Sequence, residues 1–322
     1  MDFASLLDSF SGIRALVVGD VMLDEYIFGT VDRISPEAPV MVVKKTNERC
    51  VPGGAANVAK NVVALGGRAH VVGTVGTDSG GDALRDSMSE QGLGHTLIPV
   101  IGRPTTRKTR VVANHSHQVL RIDDEVDSAI SADIENKVLV ELEAKLPDYD
   151  LLILSDYRKG LLTERFVSCL VGIAKRGNRP VFANAKPESA AYYAGATLVS
   201  LNRSETARVT GERPSSLSDG EAAARRLCEQ LGVESVLVTM GELGMAAGWG
   251  SGGLQMPAPQ IEAYDVAGAG DTVLATVALG VKSKGFDQAV FALAAATSAK
   301  VVRHVGVAVP TTEDLEEIRS RS

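Results

Sequence analysis

Short apolar segments alternate along the chain with longer segments whose apolar residues recur at helical spacing. Segments that read as buried strands are ALVVGD, HVVGTVG, LLILSDY, PVFANA, TLVSLN and SVLVTMG. Continuous apolar runs of this length are typical of parallel strands that are covered on both faces. The segments between them include AANVAKNVVALGG, GDALRDSMSEQG, TERFVSCLVGIAKRG and GEAAARRLCEQLG, several of which end at glycine. The alternation predicts an α/β fold with a doubly wound, mainly parallel sheet and helices on both faces.

Two segments, residues 25–48 and residues 105–122, depart from this alternation of strands and helices. In EYIFGTVDRISPEAPVMVVKKTNE and TTRKTRVVANHSHQVLRI, apolar and polar residues alternate as they do in half-exposed strands. Each segment is inserted between α/β units, so it would project from the edge of the sheet where such proteins bind ligands. We expect a small β-sheet that acts as a lid. Because no repeat or flexible linker divides the chain, we expect one domain over residues 1–322.

Composition and charge exclude several classes of partner. The 322 residues carry a formal charge of −7, and no long basic run occurs, so neither nucleic acid nor a membrane surface is expected as a partner. No apolar run approaches the length of about 18 residues that spans a bilayer. The N-terminal segment MDFASLLDSFSGIRALVVGD lacks the form of a signal peptide, and three distant cysteines fit no disulfide framework. These features predict a cytoplasmic protein.

The segment DVAGAGDTVLATVALG (265–280) is the strongest candidate for chemistry. The amides of Ala269, Gly270 and Asp271 would open a helix, and free amides at a helix N-terminus attract phosphate oxygens. Glycine at 268 and 270 lets the backbone approach a ligand without a Cβ clash. A carboxylate at 271 can take a proton from an attacking hydroxyl, which predicts phosphoryl transfer with Asp271 as general base. On Gly268, Gly270 and Asp271 alone, a second interpretation stays open, in which Asp271 only caps the helix.

The sequence supports neither a P-loop nor a dinucleotide-binding fingerprint. The motif G-x-x-x-x-G-K-[ST] does not occur, which argues against an ordinary P-loop. G-x-G occurs at 92–94, 248–250, 250–252 and 268–270, and only Gly248, Gly250 and Gly253 complete the spacing G-x-G-x-x-G. The segment LQMPAPQ that follows them has no helical pattern, so the context that the dinucleotide fingerprint requires is missing. A nicotinamide-dependent enzyme is therefore disfavoured.

Several motifs together resemble the ribokinase-like, PfkB-type sugar kinases. DVAGAGDT is similar to their C-terminal signature, VPGGAANVAKNVVALGG (51–67) to their N-terminal glycine signature, and LNRSE to their N-x-x-E element. GDVMLDEYIFGTVDRISPEAPV (19–40), KTRVVANHSHQVLRID (108–123) and SDYRKG (155–160) resemble one branch of the family, the bacterial D-glycero-β-D-manno-heptose-7-phosphate kinases. The resemblance implies MgATP-dependent phosphorylation of the anomeric hydroxyl of this heptose 7-phosphate to the 1,7-bisphosphate, a step of ADP-heptose and lipopolysaccharide synthesis.

The resemblance also implies a sugar site. Asp24 would accept hydrogen bonds from sugar hydroxyls, and Gly53, Gly54 and Asn57 would bring backbone and one amide against the sugar. Asp156 ends a predicted strand, where α/β sheets place ligand contacts. The cations expected to bind the 7-phosphate are Arg33, Lys108, Arg110, Arg121 and Lys159.

On the nucleotide side, the resemblance implies ATP and Mg²⁺ as cofactors and leaves a monovalent cation as an open alternative. Asn202 and Glu205 of the N-x-x-E element are expected to act on Mg²⁺ through water. TMGELG (239–244) matches a family turn near the nucleotide phosphates, and the last long helix would supply the purine wall with Ala295, Thr297 and Ser298. The residues expected to contact ATP are Lys186, Asn202, Glu205, Thr239, Gly241, Gly244 and Thr297. A homodimer formed through the lid is a further expectation from the family.

Three departures from the heptose branch keep alternatives open. Asn-Ala-Lys stands at 184–186 in place of Asp-Pro-Lys, Ala267 replaces a threonine, and Met-Gly at 240–241 replaces Arg-Ser. Another sugar-phosphate or nucleoside kinase of the same family is one alternative, and a non-catalytic sugar-binding regulator on a kinase fold is another. A common form of the heptose enzyme carries a second, nucleotidyltransferase domain, and this chain resembles the kinase part alone.

Overall fold

A computed structural model describes residues 2–113, 117–262, 264–304 and 306–320 of the protein. Residues 114–116 of the second predicted lid segment lie outside these ranges. The strands are β1 (Arg14–Gly19), β2 (Val21–Ile34), β3 (Met41–Gly54), β4 (Arg68–Val75), β5 (Gly94–Pro99), β6 (Arg107–Ala113), β7 (His117–Asp124), β8 (Leu151–Ser155), β9 (Val181–Asn184), β10 (Leu198–Asn202), β11 (Ser235–Thr239), β12 (Gly244–Trp249) and β13 (Gly252–Pro257). The α-helices are α1 (Phe3–Asp8), α2 (Ala55–Ala64), α3 (Ser79–Glu90), α4 (Ala132–Lys145), α5 (Glu164–Arg176), α6 (Arg203–Thr210), α7 (Leu217–Leu231), α8 (Ala269–Lys284), α9 (Gln288–Val301) and α10 (Thr312–Arg319).

The main sheet of the described residues has nine strands in the order β13-β12-β11-β10-β9-β8-β1-β4-β5. All neighbours from β11 to β5 pair in parallel, whereas β12 and β13 form an antiparallel hairpin at one edge. This arrangement confirms the predicted mainly parallel sheet. The hairpin is the part of the sheet that the apolar pattern did not distinguish.

Both faces of the main sheet are buried, as the apolar strands predict. Alternate residues of β1 enter different cores, Val17 with α2, α8 and α9, and Val18 with α5 and α7. In β8 every residue is buried. Side-chain caps start many of the covering helices; the Thr163 hydroxyl, for example, accepts from the Phe166 amide at the start of α5. In the described part of the chain, no helix is long and apolar enough to span a bilayer.

The second sheet is the predicted lid. Its strand order is β3-β2-β6-β7, in which β2 and β3 pair antiparallel, β6 and β7 pair antiparallel, and β2 and β6 run parallel. The predicted segment 25–48 is extended at both ends, because β2 begins one residue after Asp20 and β3 runs directly into α2. The lid therefore shares its base with the carboxyl end of β1 and with the N-terminus of α2.

Candidate active site

Asp271 lies where three elements that are distant in sequence meet. Its side chain is in the first turn of α8 and is only 3% exposed. Asn57, in the first turn of α2, donates to Asp271 Oδ2 over 2.8 Å. Tyr157, in the loop after β8, donates its hydroxyl to Asp271 Oδ1 over 2.9 Å. One donor on each oxygen fixes the orientation of the carboxylate.

The surroundings of Asp271 make its carboxylate more basic than usual. Burial raises the pKa of Asp271 to about 6, while hydrogen bonds from Asn57 and Tyr157 and the charge of Lys186 partly lower that pKa. At pH 7 to 8 the group is ionised, yet it takes up a proton more readily than an exposed aspartate. A pKa near the working pH is the property expected of a general base.

The first turn of α8 is open toward a ligand. Gly268 precedes the helix in the left-handed region, with φ of 81°, and no side chain caps the helix there. A Cβ at Gly268 would approach Asn57 Nδ2 to 2.9 Å, whereas a Cβ at Gly270 would meet nothing within 4 Å. The start of α8 thus combines an uncapped helix N-terminus with free space, which favours an anionic group.

A cavity of about 360 Å³ adjoins this turn. Ala269 and Gly270 form part of its wall, and the predicted ATP residues Thr239, Gly241 and Gly244 line it from the β11–β12 turn. The remaining wall is mainly apolar and comes from the segment before α8 and from α9. The predicted role of the Ala269 amide is corrected by its bond, because it donates to the Val266 carbonyl over 3.3 Å, and the Gly270 amide is the one that opens toward the cavity. A mainly apolar slot that ends at a helix N-terminus matches a purine base with its phosphates.

The expectation for Thr297 is corrected by its position. Its side chain is fully buried between α8 and α9, where it donates to the Leu293 carbonyl and lies 3.1 Å from the Thr276 hydroxyl. Ala295 and Ser298 line the cavity instead. Of the three residues expected at the purine wall, Thr297 is thus the one that packs against α8.

Asn202 and Glu205 form the capping box of α6. Asn202 Oδ1 accepts from the amides of Ser204 and Glu205 at 2.9 Å each, and Glu205 Oε2 accepts from the Asn202 amide at 2.8 Å. Lys186 Nζ donates to Glu205 Oε1 over 2.6 Å and also lies 5.5 Å from the ring centroid of Tyr157. Lys186 therefore connects the capping box with the surroundings of Asp271. Within the described ranges, no group of three or more His, Cys, Asp or Glu side chains could hold a metal ion.

The predicted sugar residues lie on the lid side of Asp271. Asp24 is 2% exposed and accepts a short hydrogen bond from Arg110. Burial raises the pKa of Asp24, and the charge of Arg110 lowers it. A Cβ at Gly53 would lie 1.9 Å from Asp24 Oδ2, so glycine is what leaves room for this carboxylate. Gly54 has φ of 60°, and a Cβ there would meet the Asp20 carbonyl at 2.3 Å.

Asn57 has one buried side-chain atom without a hydrogen-bond partner among the described residues. Its amide nitrogen donates to Asp271, but within the described residues its buried Oδ1 has no hydrogen-bond partner. Buried polar atoms are nearly always paired, so an unpaired acceptor at this place is suited to a hydroxyl of a ligand.

Tyr157 and Asp20 are site residues that the sequence did not reveal. Asp20 is buried and accepts from the amides of Tyr157 and Lys159 at 2.9 Å each, and burial raises its pKa to about 6. Arg103 donates to the Lys159 carbonyl from the other side. These bonds hold the loop so that the Tyr157 hydroxyl meets Asp271. The sequence pointed to Asp156 and Lys159 within SDYRKG, and nothing local shows where its tyrosine lies.

Asp156 is placed beneath the same loop. Its Oδ1 accepts from the Arg158 amide at 2.7 Å, and its Oδ2 accepts from Ser189 Oγ at 2.5 Å and from the Tyr193 hydroxyl at 3.1 Å. Both oxygens are thus engaged inside the protein, and Asp156 shapes the loop after β8. Arg158 has a positive φ of 58°, which this bonding supports.

Two of the five cations predicted to bind phosphate belong to an ion-pair belt. Lys108 Nζ lies 2.8 Å from Glu125 Oε2 and 3.1 Å from Asp123 Oδ2. Lys159 Nζ lies 2.9 Å from Glu125 Oε1 and 2.6 Å from Asp127 Oδ1. Three carboxylates surround two ammonium groups, so the belt has no excess of positive charge to offer an anion.

The other three cations differ in their surroundings. Arg121 pairs with Asp123 at 2.8 Å, which attaches it to the same belt. Arg110 pairs with Asp24 at the sugar site. Arg33 is exposed near the far end of β2. Of the five, Arg110 forms an ion pair with Asp24, and Lys108 is paired with Asp24 across β2 and β6 while its ammonium group contacts the belt.

Two of the departures from the heptose branch have a structural account. Met240 is buried in the core, and a Cβ at Gly220 would approach its sulfur to 2.5 Å, so Met240 packs under α7. The amide of Ala267 donates to Asp265 Oδ1 over 2.9 Å, a contact that needs no side chain at 267. Neither departure disturbs the bonds to Asp271.

Comparison with known proteins gives a family match and several similar proteins. A family model described as pfkB family carbohydrate kinase matches residues 13–314. The bifunctional protein HldE of Caulobacter vibrioides is 41% identical over 315 residues, which cover 97% of this chain and 64% of that protein. HldE of Nitratiruptor sp. is 39% identical over 306 residues, covering 94% of this chain and 64% of the relative. The chain spans about 64% of the length of these curated relatives.

Solved structures share the fold at low identity. Phosphofructokinase-2 from Escherichia coli in complex with potassium has a TM-score of 0.80 and 17% identity, with 97% of this chain and 99% of that chain covered. Ribokinase of Arabidopsis thaliana complexed with ribose and ATP has a TM-score of 0.73 and 19% identity, with 97% and 100% covered. Both have the α/β sheet described above.

Proposed function

The chain belongs to the pfkB family of carbohydrate kinases, and from that premise we propose that it transfers the γ-phosphoryl group of ATP to the anomeric hydroxyl of D-glycero-β-D-manno-heptose 7-phosphate. The observation that carries the proposal is the Asp271 carboxylate, held by two donors at the open start of α8. The heptose substrate is supported by the similarity to HldE proteins and by the RISPEAPV block.

In the proposed reaction, the anomeric oxygen of the sugar attacks the γ-phosphorus of ATP. A bond forms from that oxygen to phosphorus, the bond from phosphorus to the β–γ bridging oxygen breaks, and ADP leaves with the electron pair. Asp271 takes the proton of the hydroxyl as the attack proceeds. The amide of Gly270, with the helix N-terminus, stabilises charge on the phosphoryl oxygens.

Glu205 is the residue best suited to hold Mg²⁺ through water. Its Oε1 has a lone pair in addition to the one shared with Lys186, whereas Asn202 Oδ1 already accepts from two amides. We assign Asn202 the role of fixing Glu205 through the capping box. When bound, Mg²⁺ neutralises charge on the phosphates of ATP. The need for a monovalent cation stays a prediction, which titration with K⁺ would test.

The lid is proposed as the surface of a homodimer in the cytoplasm, with the chain acting as one domain. Ile34, Met41, Leu120 and Ile122 lie on lid strands with about half of each side chain exposed. Exposed apolar side chains and open strand edges on a lid favour pairing with a second copy. Light scattering should give twice the chain mass, and a single-chain mass would reject the dimer.

A substrate panel tests the proposed function. ADP release from MgATP is measured with heptose 7-phosphate, fructose 6-phosphate, fructose 1-phosphate, ribose and adenosine. Turnover confined to the heptose phosphate is the expected result. Turnover with another member would discard the heptose and keep the kinase. If no substrate is phosphorylated while sugar binding is retained, the sugar-binding regulator becomes the better interpretation.

Tyr157→Phe is expected to shift the pH dependence of the reaction. Donation from Tyr157 stabilises the ionised form of Asp271, so its loss should raise the pKa of that carboxylate above about 6. We expect the acidic limb of the kcat/KM profile to move about one pH unit upward, because a hydrogen bond to a charged group contributes on that scale. The rate at pH 8 should change much less than the rate at pH 6.

Tyr149→Phe is the matched control, since Tyr149 precedes the opposite end of β8. Its pH profile should coincide with that of the wild type. If Tyr157→Phe lost the same fraction of activity at every pH, Tyr157 would have only a packing role.

A further inference from the structure

The inner face of the lid carries arginines that the proposed mechanism does not use. Tyr26 on β2 pairs directly with Arg49 on β3 and with Arg110 on β6, so the three side chains share one face of the sheet. The guanidinium carbons of Arg49 and Arg110 lie 5.7 Å and 5.3 Å from the Tyr26 ring centroid. Tyr26 is buried, and its hydroxyl accepts from the Val307 amide at 3.0 Å. A fixed aromatic ring therefore holds both guanidinium groups near the site.

Lys60, on α2, is a third cation near Arg49 and Asp24. Lys60 lies three residues after Asn57, so both belong to one side of the helix, and Asn57 contacts Asp271. Burial lowers the pKa of Lys60, the positive charge of Arg49 lowers it further, and the charge of Asp24 raises it. Lys60 is therefore a largely buried ammonium group beside the sugar site, on the side of the lid arginines.

Positive charge exceeds negative charge in this cluster of Arg49, Lys60 and Arg110. Among the described residues, neither Arg49 nor Lys60 forms an ion pair with a carboxylate, and the one pair in the cluster joins Arg110 to Asp24. Asp265 also acts on Arg110, so the three cations face two carboxylates and keep one positive charge in excess. A buried ammonium group without an anion is unfavourable, so an arriving anion would be stabilised there.

We propose that Arg49, Lys60 and Arg110 bind the phosphate of a phosphorylated sugar substrate, which makes Arg49 and Lys60 specificity-determining residues. The inference rests on the proposed function only for the premise that the substrate is a sugar. An arginine fork and a lysine point charge are complementary to a phosphate dianion. The sugar then spans from Asp271 at its reacting hydroxyl, past Asp24, to the cluster at its phosphorylated end.

The cluster is a better phosphate site than the ion-pair belt of Lys108 and Lys159. Each ammonium of the belt already contacts two carboxylate oxygens, so a phosphate would have to displace them. The belt instead connects β6 and β7 of the lid with the loop that carries Tyr157. The two groups of cations thus differ in what they can offer an anion.

The test compares each sugar with and without its phosphate. Calorimetry without nucleotide gives the dissociation constants of heptose 7-phosphate, heptose, fructose 6-phosphate and fructose for the wild type, Lys60→Met and Arg49→Met. We expect the wild type to prefer the phosphorylated form, and each variant to lose about 10- to 100-fold of that preference. The KM for the sugar phosphate should rise by the same factor, with the KM for ATP unchanged.

Lys44→Met is the control, because it removes an exposed lysine from the same lid strand as Arg49. Lys60→Met should not lower the melting temperature, since it removes a buried charge that has no partner. Equal affinity of the wild type for sugar and sugar phosphate would overturn the proposal. It would also be overturned if Lys108→Met removed the preference and Lys60→Met did not. A Lys60-dependent preference for fructose 6-phosphate, with turnover of it, would discard the heptose and support the phosphate site.

Discussion

Asp271→Asn is expected to lower kcat by roughly 10²–10⁴-fold, the contribution of a positioned general base. The amide keeps the shape of the side chain, and its oxygen can still accept from Asn57 Nδ2. Its amide group can donate to the Tyr157 oxygen, which reverses that bond without moving the ring. The variant should therefore bind sugar and ATP with affinities close to those of the wild type, and only proton transfer should be lost.

The same substitution should stabilise the folded protein at neutral pH. Burial raises the pKa of Asp271 from 3.8 to about 6, so ionising it in the folded state costs on the order of 3 kcal/mol relative to the unfolded chain. That cost is present above pH 6 and disappears below pH 4, where the group is protonated in both states. The melting temperature of Asp271→Asn should exceed that of the wild type by a few degrees at pH 8, and the difference should shrink toward pH 4.

Three measurements separate base catalysis from a structural role for Asp271. Single-turnover rates give the chemical step, calorimetry gives the affinities for sugar and ATP, and calorimetric scans at pH 8 and pH 4 give the stability difference. Retained turnover in Asp271→Asn would remove the base assignment. Lost turnover together with a lower melting temperature at pH 8 would show that the carboxylate holds the fold, as a helix cap does.

Local sequence signals predicted the parts of this protein that depend on local physics. Apolar strands and glycine-terminated helices indicated the sheet, and alternating segments indicated the lid, because burial on one or two faces leaves a direct trace in the sequence. The glycines before Asp271 indicated an open helix start, because glycine has no Cβ to block a ligand. Asn57 was selected for the sugar, and the structure adds that it donates to Asp271 across 214 positions of sequence.

What the sequence could not supply depends on which side chains meet in space. Tyr157 is one of several polar residues in SDYRKG, and its contact with Asp271 exists only because Asp20 fixes the loop. Lys108 and Lys159 looked like free cations, but the fold brings them to the same glutamate, Glu125. Lys60 lies in an ordinary helical pattern, and its burial beside Asp24 requires the lid to be in place.

Gly53→Ala is expected to lower kcat/KM for the sugar by about 100-fold or more, the scale of loss from misplacing a contact by about 1 Å. The added Cβ would stand 1.9 Å from Asp24 Oδ2 and 3.1 Å from Met22 Cγ, so both neighbours would have to move. Moving the Asp24 side chain away would be unfavourable, because it is buried and bound to Arg110. The KM for ATP should stay near that of the wild type, since neither Gly53 nor Asp24 lines the cavity proposed for ATP.

Gly172→Ala is the matched control for this substitution. Gly172 lies within α5, where a Cβ would meet only Arg176 at 3.6 Å, and alanine in a helix is more stable than glycine by roughly 0.5–1 kcal/mol. The double variant Asp24→Ala with Gly53→Ala removes the clash with Asp24 but leaves Arg110 without its carboxylate, so it should not regain the sugar affinity of the wild type. If Gly53→Ala alone bound sugar normally, the Asp24 carboxylate could not be where the sugar binds. If the double variant recovered full kcat/KM, glycine at 53 would serve only to make room, and Asp24 would have no part in holding the sugar.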